Sequence, residues 1–125
     1  MSKEVSVLDI DPRIAANAFA AALSAFVADY SANTAAYYAE HYKNLEPETF
    51  SVDAGSKNLR IVRTRMGNGK PVGRSVACFV RKSDGAILKA AGWKAPFIAK
   101  GGPNAPMTVR GSIFNPTTWT PALWA

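Results

Sequence analysis

The sequence predicts an α+β domain: an N-terminal helical hairpin or long helix followed by a meander of three or four antiparallel strands. Three observations carry this expectation. Apolar residues recur at steps of three and four between Ala15 and Tyr30, the period of a helix with one buried face. From residue 57 onward, β-rich runs alternate with Asn-Gly and Asp-Gly turn signals. The chain has 125 residues, 48% hydrophobic and 19% charged, so it is long enough and apolar enough for one packed domain and too short for two of ordinary size.

Asp11-Pro12 is a helix start, because an aspartate caps free amides and a proline at the first helical position lacks a donor that would have no partner there. The apolar face then reads Ala15, Ala18, Phe19, Ala22, Leu23, Phe26, Val27 and Tyr30. A second helical stretch runs from about Thr34 to Asn44 and carries Tyr37, Tyr38, His41 and Tyr42. Two readings follow. A single helix of about 33 residues would be about 50 Å long, whereas the polar side chains of Ser31-Ala32-Asn33-Thr34 favour a cap and a hairpin. The break is the preferred expectation. Leu45-Glu46-Pro47 ends the helical region, since proline disfavours helix at the residue before it.

The first predicted strand is Asn58–Arg65, joined through Gly67-Asn68-Gly69 to a second at about Arg74–Arg81. Lys82-Ser83-Asp84-Gly85 then turns into a third strand, Ala86–Ala90. Gly101-Gly102-Pro103 opens a loop, and Met107–Phe114 is the candidate fourth strand. The tail from Asn115 to Trp124 contains two prolines and is expected to dock in extended form.

The net charge of +6 conceals a strong asymmetry. Residues 1–56 hold three basic and eight acidic residues, whereas residues 57–125 hold twelve basic residues and one acid, Asp84. An ordinary solvated surface mixes signs, so a polyanionic partner is the natural reading of the basic half. Phosphates are met by lysine and arginine, and unpaired bases need flat π-faces. The candidate nucleic-acid contacts are therefore Arg60, Arg63, Arg65, Lys70, Arg74, Arg81, Lys82, Lys89, Trp93 and Lys94, with single-stranded DNA or RNA favoured. On a regular strand Arg63 and Arg65 share one face and Arg60 lies on the other. Such a protein is expected to be a homo-oligomer, and the competing reading is a structural or assembly protein in which the basic half meets the acidic half of a neighbour and Trp119 and Trp124 anchor the tail.

Other classes find little support. One cysteine and one histidine fall short of a structural zinc set, so neither metal nor cofactor is expected. Cys78 lies in an apolar strand, where a buried, unreactive thiol is the ordinary outcome. His41 points away from Glu40 on a helix and reads as a packing residue. Gly67-Asn68-Gly69-Lys70 lacks the spacing of a phosphate loop. With one carboxylate in the basic half, no paired acids are available for hydrolysis, and neither an enzyme nor a small-molecule substrate is expected. The acidic N-terminus does not read as a secretion signal, and Ile14–Val27 is too short and alanine-rich for a membrane span, so a cytoplasmic protein is expected.

The run from Cys78 to Pro96, CFVRKSDGAILKAAGWKAP, followed by VRGSIF at Val109–Phe114, resembles a segment of small uncharacterised proteins of tailed bacteriophages. The resemblance covers about a third of the chain. It implies a viral setting, in which the competing reading becomes a viral structural or assembly protein, and transfers no activity.

Overall fold

The computed structural model describes residues 12–120. Among them, helix α1 (Pro12–His41) precedes β1 (Thr49–Ala54), β2 (Asn58–Gly67), β3 (Lys70–Arg81), β4 (Ala86–Leu88), β5 (Val109–Ser112) and a 3-10 turn at Pro116–Thr118. The strands form one antiparallel sheet in chain order, β1-β2-β3-β4-β5. The α+β class is as expected, with five strands in place of three or four. The expected cap Asp11 and the tail residue Trp124 lie outside the described residues.

The helix is continuous through Ser31–Thr34, against the preferred expectation of a break. Asn33 does not cap a new helix. Its Nδ2 donates to Asp29 Oδ2 at 3.1 Å, one turn back, and alanines on both sides favour continuation. His41 closes the helix exposed to solvent and stacked on Tyr37 at 4.0 Å, so it is not a core residue.

The strand missed from sequence is β1, which pairs with β2 from Thr49↔Thr64 to Ala54↔Leu59. It is an edge strand whose only half-buried residues are Phe50 and Asp53, and so it lacks the apolar alternation that announces a strand. The β2–β3 turn fulfils its Asn-Gly signal, with Asn68 at φ 54° and Gly69 at φ 74°. At the turn into β4, Gly85 has φ 75°, and a Cβ there would come within 2.7 Å of the Phe114 ring. Only glycine fits.

The pleat divides the sheet into two faces. Helix α1 lies on one, where Phe26 and Tyr30 meet Leu59, Ile61, Cys78, Val80 and Ile87. Phe79, Ala86 and Leu88 point the other way and form a smaller cluster with Val76 and Val109. Burial pushes the Cys78 thiol far above its ordinary value, in keeping with an inert core residue. Trp119 belongs to the helix-side core: its ring meets Phe26 edge-on at 5.6 Å, and Nε1 donates to the Ser112 carbonyl at 3.0 Å. Within the chain, the ring expected to anchor in a neighbouring subunit packs partly buried against its own helix. The preceding segment is also turned, not extended, because Asn115 caps the 3-10 turn and Thr118 Oγ1 accepts from Ser112 N.

No described helix is long and apolar enough to cross a membrane. Phe26 is the largest side chain sealed between the layers. Phe26→Ala should lower the unfolding free energy by about 3–5 kcal/mol, measured by chemical denaturation.

Candidate nucleic-acid interface

The sheet face that α1 leaves open carries a cluster of cations around one tryptophan. On β2, Leu59 and Ile61 enter the core beneath α1, so the intervening Arg60 points to the opposite face. Its partner across the β1–β2 ladder is Asp53. Asp53 Oδ2 accepts from Arg60 Nη1 at 3.3 Å and from Arg74 Nη2 at 3.4 Å, so one carboxylate holds two guanidinium groups together. Both then approach Trp93: the guanidinium carbons of Arg60 and Arg74 lie 4.5 and 5.2 Å from its ring centroid.

Trp93 sits at the tip of a closed loop. Ala90 bridges Pro96, Ala91 N donates to the Ala95 carbonyl at 3.1 Å, and Phe97 N donates to the Lys89 carbonyl at 2.8 Å. Trp93 is 39% exposed, with both guanidinium groups set against its ring.

Beside this loop is a cavity of about 230 Å³, walled by the β1–β2 turn on one side and Lys94 and Pro96 on the other, with Phe79 among its lining residues. Lys57, Arg60 and Lys94 contribute to it, against the single carboxylate of Asp53. Arg60 Nε is buried and has no hydrogen-bond partner. Leaving such a donor unsatisfied costs about 1–3 kcal/mol or more. A second hollow, of about 330 Å³, lies between Arg74, Val76 and Trp93.

The chain belongs to DUF7717, a family of unknown function. The family model matches residues 11–120, which span every element of the fold. No curated protein and no solved structure matches the chain. For this DUF7717 protein the chemistry of the site must therefore be read from its own residues.

Of the ten residues expected to contact nucleic acid, Arg60, Arg74, Trp93 and Lys94 come together on the open face. Arg63 and Arg65 lie on the helix side, as the strand alternation required. Arg63 donates to Ser75 Oγ at 3.3 Å and to the Tyr30 hydroxyl at 3.4 Å, and stands 3.6 Å from Glu48. Burial raises the Tyr30 hydroxyl above its ordinary pKa, and the Arg63 charge partly opposes that rise. Arg65 lines a small recess with Tyr38, Glu46 and Glu48. Lys70 is exposed beside the β2–β3 turn, and Lys89 is half-buried just beyond β4. Lys82 Nζ donates to the Gly55 carbonyl at 3.0 Å, pinning the β1–β2 turn.

Arg81 is a structural clamp. It forms a two-point pair with Asp84 at 3.0 and 2.8 Å and donates to Pro103 O and Asn104 Oδ1, both at 3.0 Å. Sequence reasoning missed Lys57 and Asp53. The sign change between Ser56 and Lys57 falls inside the β1–β2 hairpin, so a boundary drawn there separates residues that the hairpin brings face to face. Among the described residues, no three His, Cys, Asp or Glu side chains are grouped to hold a metal ion.

Hydrogen bonding from Arg81 holds the Asp84 carboxyl below its usual pKa, although burial opposes it. A carboxylate depressed in the folded state stabilises the fold fully above its unfolded value, about pH 4, and that contribution is lost as the pH falls through the lower folded value. Asp84→Asn should remove this part of the acid dependence and lower stability by about 1 kcal/mol, a figure kept small because Asp84 stands half in solvent. Urea denaturation at neutral pH and in the acid range measures both effects.

Proposed function

We propose that this DUF7717 protein binds single-stranded nucleic acid on the sheet face opposite α1. The observation that carries the reading is the half-exposed Trp93 held beside Arg60 and Arg74, with Lys94 next to it in sequence. An unpaired base stacks on an exposed indole, and neighbouring cations meet the phosphates on either side. A duplex keeps its bases stacked on one another and offers no free ring. The reading claims no sequence preference. A function on phage nucleic acid is the setting that the resemblance of Cys78–Phe114 suggests.

Labelled single-stranded oligonucleotides should bind at low salt, with log K falling against log salt with a slope of about −2 to −3 if Lys57, Arg60, Arg74 and Lys94 meet phosphates. Trp93→Ala should weaken binding by about 1–3 kcal/mol, read by fluorescence anisotropy. Absence of association at low salt would sink the proposal.

A second reading, self-association along α1, draws on a different observation. Ala18, Ala21, Ala25, Ala28 and Ala32 are exposed at alternating steps of three and four, the spacing of a helix-pair seam. Beside them runs an apolar trough, its two parts sharing Ala20 and Leu23 and extending from Phe114 to Phe50. Pairing between acidic and basic halves of neighbours is less favoured, because Glu48 and Asp53 already meet Arg63, Arg60 and Arg74 within the chain. Light scattering decides the matter. An oligomeric mass that falls to that of one chain in Ala25→Glu supports the α1 contact, and a mass unchanged by that substitution rules it out.

A further inference from the structure

The cavity beside the Trp93 loop has features that base stacking does not require. Lys57, Arg60 and Lys94 line it against a single carboxylate, and Asp53 is already shared between two guanidinium groups. The side chains of Lys57 and Lys94 have no ion-pair or hydrogen-bond partner among the described residues. Arg60 adds a buried Nε–H with no acceptor. Two lysines without acceptors beside the Arg60 guanidinium, in a hollow where positive charge predominates, are the arrangement that a tetrahedral oxyanion completes.

The walls of the cavity are held in place independently of any ligand. On one side, Lys82 donates from its backbone N to the Lys57 carbonyl at 3.0 Å and from Nζ to the Gly55 carbonyl at 3.0 Å. Gly55 itself is required by the tightness of the turn, because a Cβ there would meet the Asn58 carbonyl oxygen at 2.9 Å. On the other side, the Ala90–Pro96 bridge fixes the loop that carries both Trp93 and Lys94. A cavity of about 230 Å³ has room for a phosphoryl group.

We propose that this cavity is a phosphoryl pocket, in which Arg60, Lys57 and Lys94 bind the phosphate of the nucleotide whose base stacks on Trp93. The pocket rests on the nucleic-acid reading only for the source of its ligand, since the anion chemistry belongs to the cavity alone. The phosphoryl group comes either from an internal phosphodiester or from a terminal monophosphate.

Two experiments on the full chain test it. In a titration with inorganic phosphate followed by nuclear magnetic resonance, the Arg60 Nε–Hε signal should shift saturably, and the double variant Lys57→Gln, Lys94→Gln, which removes two charge-assisted hydrogen bonds, should bind phosphate at least about tenfold more weakly. Both lysines are exposed, so the variant should keep its fold, checked by the unchanged spectrum of the core. An Arg60 signal that does not move, or phosphate binding equal in the variant, overturns the pocket.

The second experiment compares a 5′-phosphorylated oligonucleotide with its hydroxyl-ended counterpart. Tighter binding of the phosphorylated strand, abolished in the double variant, identifies a terminal phosphate. Equal binding of the two, weakened about tenfold in the variant, identifies an internal phosphodiester. Oligonucleotide binding that depends on Trp93 and is untouched by the double variant overturns the pocket and leaves the broader function standing. Saturable phosphate binding with no oligonucleotide binding supports the pocket and overturns the broader function.

Discussion

Burial of Phe26 and Tyr30 against one face of the sheet is the contact on which the rest of the structure depends. A five-stranded sheet has two faces, and a single helix covers one. Because the pleat alternates side chains, every residue that enters the core beneath α1 sends its neighbours the opposite way. Leu59 and Ile61 go under the helix, and Arg60 between them goes to the open face. Cys78 and Val80 do the same on β3, leaving Phe79 as part of the opposite cluster. The orientation of the cationic site is thus a by-product of how the helix is seated.

Charge on the open face is tolerated because Asp53 is set among it. Arg60 and Arg74 would repel each other beside Trp93, and one carboxylate oxygen shared between them offsets that repulsion. Lys57 and Lys94, which also line the cavity, have no partner of opposite sign among the described residues. Arg81 marks the contrast. Its donors engage Asp84, Pro103 and Asn104, so it ties the loop after β4 to the sheet and has little capacity for a ligand. Identical residue types thus differ in how many acceptors from the chain reach them: Arg81 meets three residues, whereas Arg60 and Arg74 share one carboxylate.

Much of the fold was legible because it rests on local rules. Helical periodicity announced α1, and the Asn-Gly and Asp-Gly pairs marked the turns on either side of β3. Polar residues at Ser31–Thr34 misled because Asn33 found a partner one turn back instead of capping a new helix. Strand β1 was hidden by its position at the edge, where half-buried Phe50 and Asp53 make no alternating pattern. For Trp119, the proline-spaced tail suggested an outward reach, and only the docked ring on Phe26 reveals an inward one.

By itself the sequence determined the α+β class, the meander, the inert burial of Cys78 and the opposition of Arg60 to Arg63 and Arg65. These follow from period, turn chemistry and strand alternation, which act between residues close in the chain. Tertiary structure alone decided which of the cations share a surface. Arg60, Arg74 and Lys94 are far apart in sequence, and they meet because Asp53 on the edge strand and the closed Trp93 loop converge over one face of the sheet. Composition counts charges; the pairing of distant strands determines which acceptors each of them finds.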